Sequence, residues 1–452
     1  MAALDDAIQH YHDLLTDEMA AATQAQLDAR LAERGLTFGG RPLATVLRPR
    51  FMTPQQYRAL QGGVHLLLRA FTRAHQAALA DPAVRAQFGL TDWEDELIAL
   101  DPGFAAPSPT SRLDTFFLPG DNTFSITEYN AETPAAPAYN DALSEVFFAL
   151  PVMRAFLRRY EVRPLLARHQ VLHVLLDAYH QWAGDRREPP SIAILDWREV
   201  PTYSEHVLFR DYFRAQGIAC VTADPREVEY REGRLMAGDF PITLIYKRVL
   251  ISELVERGGL NHPVMQAVRE GAACMVNPFR CKLLHKKASL AVLSDERNAP
   301  LFAADERAAI AAHVPWTRRV EERHTEHQGR RVDLVPFIQA QREHLVLKAN
   351  DEYGGKGIYL GWSTPPDEWE RAIALALSEP FVVQERVAIP SEPFPSMSDG
   401  HLRVLDRILD TAPFIFYGDF MDGALTRLST EALVNVTAGG GSSVPTFLVE
   451  AR

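Results

Sequence analysis

Apolar positions in the first hundred residues recur at helical spacing. Ile8, Tyr11, Leu14 and Leu15 form one face, and Leu27, Leu31 and Leu36 continue it. Residues 42–54 are a break. Residues 57–79 predict a long amphipathic helix with Leu60, Val64, Leu67, Leu68 and Phe71 on its stripe. The period then changes. Residues 111–117 and 124–130 alternate, and Pro119-Gly120-Asp121-Asn122 between them is a turn. A hairpin follows from this, with Asp114 across from Glu128 and Asn130. A helix carrying Leu143, Val146, Phe147 and Leu150 comes next, and residues 151–182 also predict helix. After a linker at 183–190 the pattern becomes strand 192–195, helix 203–216, strand 218–221, turn 232–234 and strand 242–246. That order suggests a small open α/β sheet.

Further on, residues 345–347 and 358–360 are short apolar strands around a loop with three glycines, two lysines and two acids. Thr364 is the expected N-cap of a helix bearing Trp369, Ile373 and Leu377. A buried-type strand at 380–387 ends in polar residues. Residues 391–410 read as a polar, Pro- and Ser-containing segment. Strands at 414–417 and 425–428 precede a second glycine loop, 435–445.

A chain of 452 residues has room for two or three domains. The net charge of -12 argues against general affinity for nucleic acid or anionic membrane. Cys220, Cys274 and Cys281 fit no metal-ligand or redox spacing. No apolar run is long enough to span a bilayer, and Asp5 and Asp6 stand where a signal segment would be basic. A reduced, cytoplasmic protein is the expectation.

Chemistry concentrates in two places. In the glycine loop, Gly354, Gly355 and Gly357 let backbone N–H groups approach a ligand, and Lys348 and Lys356 add charge. The loop joins strand to strand, so it is neither a Walker loop nor a dinucleotide fingerprint. It reads as a flap over polyphosphate, with a solvated hairpin turn as the ordinary alternative. Backbone groups near Gln384 would then read a base edge, and Glu385 could hold a ribose. In the early hairpin, Asp114, Glu128 and Asn130 make a hard oxygen set that suits Mg²⁺. Arg112, on the face of Asp114, could meet a phosphate or acyl phosphate. Lys286 and Lys287 at a helix start favour an anion or are simply solvated. Asp196, Glu205 and Arg248 stand near strand or helix ends, where open sheets line crevices. His169 and His173, and His324 and His327, lack the context of a metal site.

These strings together resemble the circularly permuted ATP-grasp enzymes, among them glutathionylspermidine-synthetase-like and uncharacterised permuted proteins. Arg112-Leu113-Asp114 and Glu128-Tyr129-Asn130-Ala131-Glu132-Thr133-Pro134 come first here. Lys287, Lys348 and the flap come later, the reverse of the ordinary order. The resemblance spans roughly residues 100 to 450. It implies an α+β, circularly permuted ATP-grasp fold with a small pre-ATP-grasp-like α/β domain and a helical N-terminal region. The parts would be 1–100 (helical), 101–185 (metal-binding), 190–280 (small α/β) and 281–452 (lysines, flap and hinge). It implies ATP and Mg²⁺ as cofactors. Lys287, Lys348, Gly354, Gly355, Lys356, Gly357, Gln384 and Glu385 would bind nucleotide. Asp114, Glu128 and Asn130 would bind metal, and Arg112 would be catalytic. "Asn-Lys-Ala" of the family is Lys286-Lys287-Ala288 here. Arg427, Asn435 and Gly439 to Gly441 match the tail of the permuted families without an assigned role.

The implied activity is an ATP-dependent, ADP-forming carboxylate–amine ligase. Its partners would be a small-molecule acid and an amine: an amino acid, peptide or polyamine. The glutathione and spermidine contacts of the relatives find no counterpart. A small-molecule kinase on the same fold and a non-catalytic nucleotide-binding module are the alternatives. Nothing in the sequence sets the oligomeric state.

Overall fold

Thr53 and Pro54 start the helix that the acidic hairpin leans on. The Thr53 hydroxyl accepts from Gln56 N–H at 3.1 Å, the Gln56 side chain accepts from Thr53 N–H at 2.9 Å, and Pro54 opens Pro54–Ala80. Leu60, Val64, Leu67, Leu68 and Phe71 are all buried along it. In this computed structural model the described residues are 2–185, 188–352, 354–430 and 441–452. The predicted stripe packs on the strand Thr123–Asn130, which pairs antiparallel with Thr110–Leu118. Phe71 and Tyr129 meet with ring centroids 4.7 Å apart. At Gly63 an added Cβ would lie 2.6 Å from the Phe124 ring, so glycine permits the close approach.

That hairpin is one edge of the largest sheet, which runs from Thr123–Asn130 through Thr110–Leu118, Ala412–Phe416 and Phe420–Ser429 to His401–Leu409 and Ser391–Ser398. A second arm closes the chain's distant parts together. The strand Ser442–Ala451 pairs antiparallel with Phe420–Ser429 and Tyr160–Pro164, and parallel with Arg50–Met52.

Three sequence expectations are corrected here. Residues 151–182 are not one helix: Pro151–Phe156 and Arg168–Ala183 flank the strand Tyr160–Pro164, whose partner lies near the far end of the chain. Residues 391–410 are not a loose polar segment but a hairpin paired in register from Ser391↔Ile408 to Ser398↔His401. Thr364 is not the helix cap. Its N–H turns back to Leu360 O at 2.8 Å, and Pro365 caps Pro366–Ser378. In the second glycine loop, Asn435, Gly439 and Gly440 fall outside the described residues, whereas Ser442 to Pro445 belong to the last strand.

A four-stranded parallel sheet has the order Cys274–Val276, Leu244–Lys247, Ile192–Leu195, Cys220–Ala223. This is the open α/β sheet the pattern suggests, with the third strand two residues later than expected. An antiparallel meander of Val228–Arg231, Arg234–Ala237 and Phe240–Ile242, not anticipated, precedes it. The glycine-loop strands lie in another four-stranded sheet, ordered Thr317–Arg319, Phe381–Glu385, Leu345–Ala349, Ile358–Leu360. Among the described residues no helix is long and apolar enough to cross a membrane. The three cysteines are buried and free.

Candidate functional site

One cavity of about 170 Å³ joins the early acidic hairpin to the late lysine-bearing flap. Asp114, Glu128, Lys287, Lys348, Gly354, Gly355, Gln384 and Glu385 line it, together with Asp410 and Arg427. Of the other expected site residues, Arg112 and Asn130 stand behind this lining. Lys356 is exposed, and Gly357 lies at the loop root.

The hairpin register sets the acidic side. Asp114 pairs with Glu128 and Arg112 with Asn130, as the alternation requires. A bulge follows, because Thr115 pairs with Ile126 and Thr127 is left over. Arg112 Nε donates to Asp114 Oδ1 at 3.0 Å, and its Nη1 donates to Ala135 O at 2.9 Å. On the other oxygen, Arg427 Nη2 lies 2.8 Å from Asp114 Oδ2. Arg427 is itself gripped by Asp410, which accepts from its Nε at 2.7 Å, from Nη2 and from its backbone N–H. Burial alone would push Asp114 up, but the two guanidinium groups outweigh it and hold the carboxyl down at about 2. Burial also opposes ionisation of Glu128, and Lys287 overcomes it, so this carboxyl too sits below its usual range. The two ionised carboxylates repel one another. Asn130 Nδ2 is buried and without a hydrogen-bond partner. The two facing carboxylates fit a hard divalent cation, which would relieve that repulsion; Asn130 could add only its amide oxygen.

The basic side comes from two elements. Lys287 precedes the helix Ala288–Ser294; its Nζ lies 3.1 Å from Glu128 Oε1 and donates to Glu352 O at 2.6 Å. Lys286 and Lys287 are buried, so neither is a solvated lysine. Lys348 sits on Leu345–Ala349. Its Nζ donates to Gln384 Oε1 at 2.6 Å and to the bulge carbonyl of Thr127 at 3.0 Å. Burial is the main cause that lowers its pKa to about 8, with Lys287 adding to it against Glu128.

The flap is rooted firmly. Lys287 N–H donates to Asn350 O at 2.9 Å, and the Asn350 side chain accepts from Ala288 N–H at 2.9 Å and donates to Phe88 O at 2.8 Å. Gly354, Gly355 and Gly357 take φ of 68°, 84° and 63°, the left-handed region in which glycine is unstrained. At the hinge, Gln384 is also tied to Thr317 Oγ1 at 3.0 Å, and Glu385 lies 3.3 Å from His327 Nε2. The Arg386 guanidinium stacks over Trp362 at 4.1 Å beside the same cavity. A wider cleft of about 980 Å³, with His327, Arg330 and His344 in its wall, shares residues 385–387 and Ile389 with it.

Asp196, Glu205 and Arg248 do meet, but around the chain's own loop. Arg248 Nη1 donates to Pro134 O and lies beside Glu205, its Nη2 3.5 Å from Oε2. Glu205 accepts from Ala136 and Ala138 N–H at 2.8 and 3.2 Å. Asn277, at the end of a neighbouring strand, donates to Ala131 and Glu132 carbonyls at 2.9 and 3.0 Å. The carboxyl ends of the parallel sheet thus hold residues 131–138, and through Ala135 they hold Arg112. Asp196 is buried beside His206, 3.5 Å away, and burial raises its carboxyl to about 7.

A cluster that the sequence reading missed lies beneath the flap: Glu94, Glu132, Lys247, Lys282, His285, Lys286 and Asp351. Oxygens of Glu132 and Asp351 and a His285 nitrogen come within 4.8 Å of one another, a spacing that a metal could use. Lys282 Nζ lies 3.0 Å from Glu132 and 2.8 Å from Asp351, so an ammonium already supplies the positive charge. The sequence signal was the i, i+4 spacing of Lys282 and Lys286. No other group of three or more such ligands occurs among the described residues, the His169 and His173 pair included.

No protein-family model and no curated protein matches the chain. Comparison with solved structures finds a shared fold. A glutathione synthetase-like effector from Globodera pallida, solved in apo form, superposes with a TM-score of 0.56 at 10% identity, over 96% of this chain and 94% of that one. The match to a putative gamma-glutamylcysteine synthetase from Methylobacillus flagellatus KT covers 88% and 89% at 12% identity, with a TM-score of 0.42. A RimK-domain ATP-grasp protein from Sphaerobacter thermophilus covers 58% and 90% at 17%, with a TM-score of 0.28. The fold argument rests on the first of these three.

Proposed function

We propose that the chain is an ATP-dependent carboxylate–amine ligase on a circularly permuted ATP-grasp scaffold, working with Mg-ATP through an acyl phosphate. The observation that carries this reading is the shared cavity. Its acidic wall comes from residues 110–130 and its basic wall from residues 287 and 345–385. The order of these parts along the chain supports the permutation. The likeness in fold to a glutathione synthetase-like effector supports a ligase scaffold.

Lys287, Lys348 and the N–H groups around Gly354 and Gly355 bind the polyphosphate. Gln384 holds the Lys348 ammonium at its place, and Glu385 is within the cavity for a ribose. Asp114 and Glu128, with Asn130 behind them, would hold Mg²⁺, which neutralises phosphate oxygens. A donor carboxylate oxygen attacks the γ-phosphorus, and the bond to the β-phosphate oxygen breaks, releasing ADP. The amine nitrogen then attacks the acyl carbon, the bond to the phosphate oxygen breaks, and the amine proton is lost to water. Arg112, behind the lining, acts through Asp114, whose Oδ1 it holds at 3.0 Å. Most of the work is positioning and preorganised charge.

The test is phosphate release from Mg-ATP by the purified chain against panels of amino acids, short peptides and polyamines, with products read by mass spectrometry. Release that requires both an acid and an amine, with a condensed product, is expected. A stable phosphorylated product would make the protein a kinase. Nucleotide binding without turnover on any panel would make it a binding module.

A further inference from the structure

We propose that Lys282 is a positioning residue that fixes the root of the phosphate flap against the exit of the acidic hairpin. The proposal rests on the nucleotide reading of the flap. Lys282 lies on Cys281–His285, is almost fully buried, and does not line the cavity. Its ammonium donates to both Asp351 oxygens, at 2.9 and 2.8 Å, and lies 3.0 Å from Glu132 Oε2. Each carboxylate has a second anchor. Glu132 accepts from Ile251 N–H at 2.5 Å and from Lys247 at 3.4 Å, both at the end of the parallel sheet. Asp351 also takes Lys286 at 3.0 Å, and Lys286 is held by Glu94 at 2.8 Å.

The sequence positions of these two carboxylates give the arrangement its meaning. Glu132 is two residues past Asn130, on the chain leaving the acidic hairpin. Asp351 is three residues past Lys348 and three before Gly354, at the base of the flap. The Lys282 ammonium therefore bridges the two halves of the site at 3.0 and 2.8 Å, nearer to both carboxylates than His285 Nε2 at 3.8 and 3.9 Å. Glu132 and Asp351 repel one another electrostatically, and Lys282 opposes that repulsion for both. Without the ammonium, the flap root is pushed away from the hairpin exit while Glu132 stays tied to Ile251. Buried ion clusters add little net stability over a packed apolar core, and geometric definition is what they can supply.

Two variants and two readouts test this. Asp351→Asn keeps the side-chain shape and leaves Lys282 with Glu132; Lys282→Met removes the node. Backbone hydrogen exchange over residues 350–358 is measured without nucleotide, and ATP affinity is measured by calorimetry with Mg²⁺. Both variants are expected to exchange faster over 350–358 and to bind ATP about tenfold more weakly or worse, the scale at which one partner of a buried charge pair matters. Asp351→Glu should recover part of the affinity. The double variant should lose less than the sum of the singles, because both remove one contact. If Lys282→Met does not fold, Asp351→Asn decides. A folded Asp351→Asn protein with wild-type exchange over 350–358 overturns the proposal. Wild-type protein that binds no ATP would instead overturn the nucleotide reading, while the exchange arm would still report on the anchor.

Discussion

Arg427 and Asp114 form an ion pair of 2.8 Å across neighbouring regions of the large sheet, and the same guanidinium is clasped by Asp410. Asp114 is thus shared between Arg112 and Arg427, one on each oxygen. A cation bound by Asp114 would compete with both. Arg427→Met is therefore expected to strengthen Mn²⁺ binding to the nucleotide-free protein and to lower turnover by 100-fold or so, the usual scale for one charge-stabilising group. Manganese resonance titration with steady-state kinetics checks both halves.

Glu128→Ala should abolish measurable ATP turnover and leave the fold in place. The residue is partly exposed at the cavity, and among the described residues its ion pair is with Lys287. The loss should reach at least about 100- to 1000-fold. Unchanged far-UV circular dichroism with full activity would remove the metal assignment.

If the cavity takes ATP, Lys348 should make its affinity depend on pH. Its folded-state pKa of about 8 lies below the ordinary lysine value, with burial the leading cause. Above about pH 8 the free protein loses the charge that meets the phosphates. The apparent Kd for Mg-ATP should rise toward a limit of about tenfold per pH unit between pH 8 and 9.5. Lys348→Met should bind more weakly throughout and lose this dependence. Calorimetry across pH 6.5 to 9.5 reads both.

Asp196 affects stability in the opposite pH range. Burial raises its carboxyl to about 7, above the unfolded value. The folded state holds this proton while the unfolded state has released it, so stability from this group is present at low pH. It declines as pH rises from about 4 through 7. Asp196→Asn should flatten the dependence and gain on the order of 1 kcal/mol per pKa unit relative to wild type at pH 8. Denaturant melts at pH 5.5 and 8 distinguish the two proteins.

Gly361→Ala should be strongly destabilising. A Cβ there would fall 1.8 Å from the Arg342 carbonyl oxygen, a backbone atom that cannot swing aside. An overpacking cost of about 1–3 kcal/mol is the minimum expected. At Gly354 a Cβ meets nothing within 4 Å, so Gly354→Ala should cost only its left-handed φ of 68°. Thermal melts of the two variants rank them.

Much of the site was legible because local periodicity carried it. Alternation placed Asp114 opposite Glu128, and the glycine loop with its flanking strands placed Lys348. The strand Tyr160–Pro164 was not legible, since only a partner near the far end of the chain stabilises it there. The hairpin at 391–409 was hidden by Pro393 and Pro395, which an edge strand tolerates but a central one does not. Arg427 stood out only as part of the family tail, without a role, because folding is what brings Asp114 and Asp410 to it. Glu132 was visible only as part of a motif, because its partners Lys282 and Asp351 are brought to it by folding.

The strand Ser442–Ala451 touches two stretches made much earlier, Arg50–Met52 and Tyr160–Pro164, and one made shortly before it, Phe420–Ser429. During translation those first two stretches leave the ribosome with an unpaired edge, and several hundred further residues must be synthesised before their partner exists. The N-terminal half is consequently the portion of the nascent chain most in need of chaperone cover. A ribosome stalled before residue 442 should present it in a protease-sensitive form.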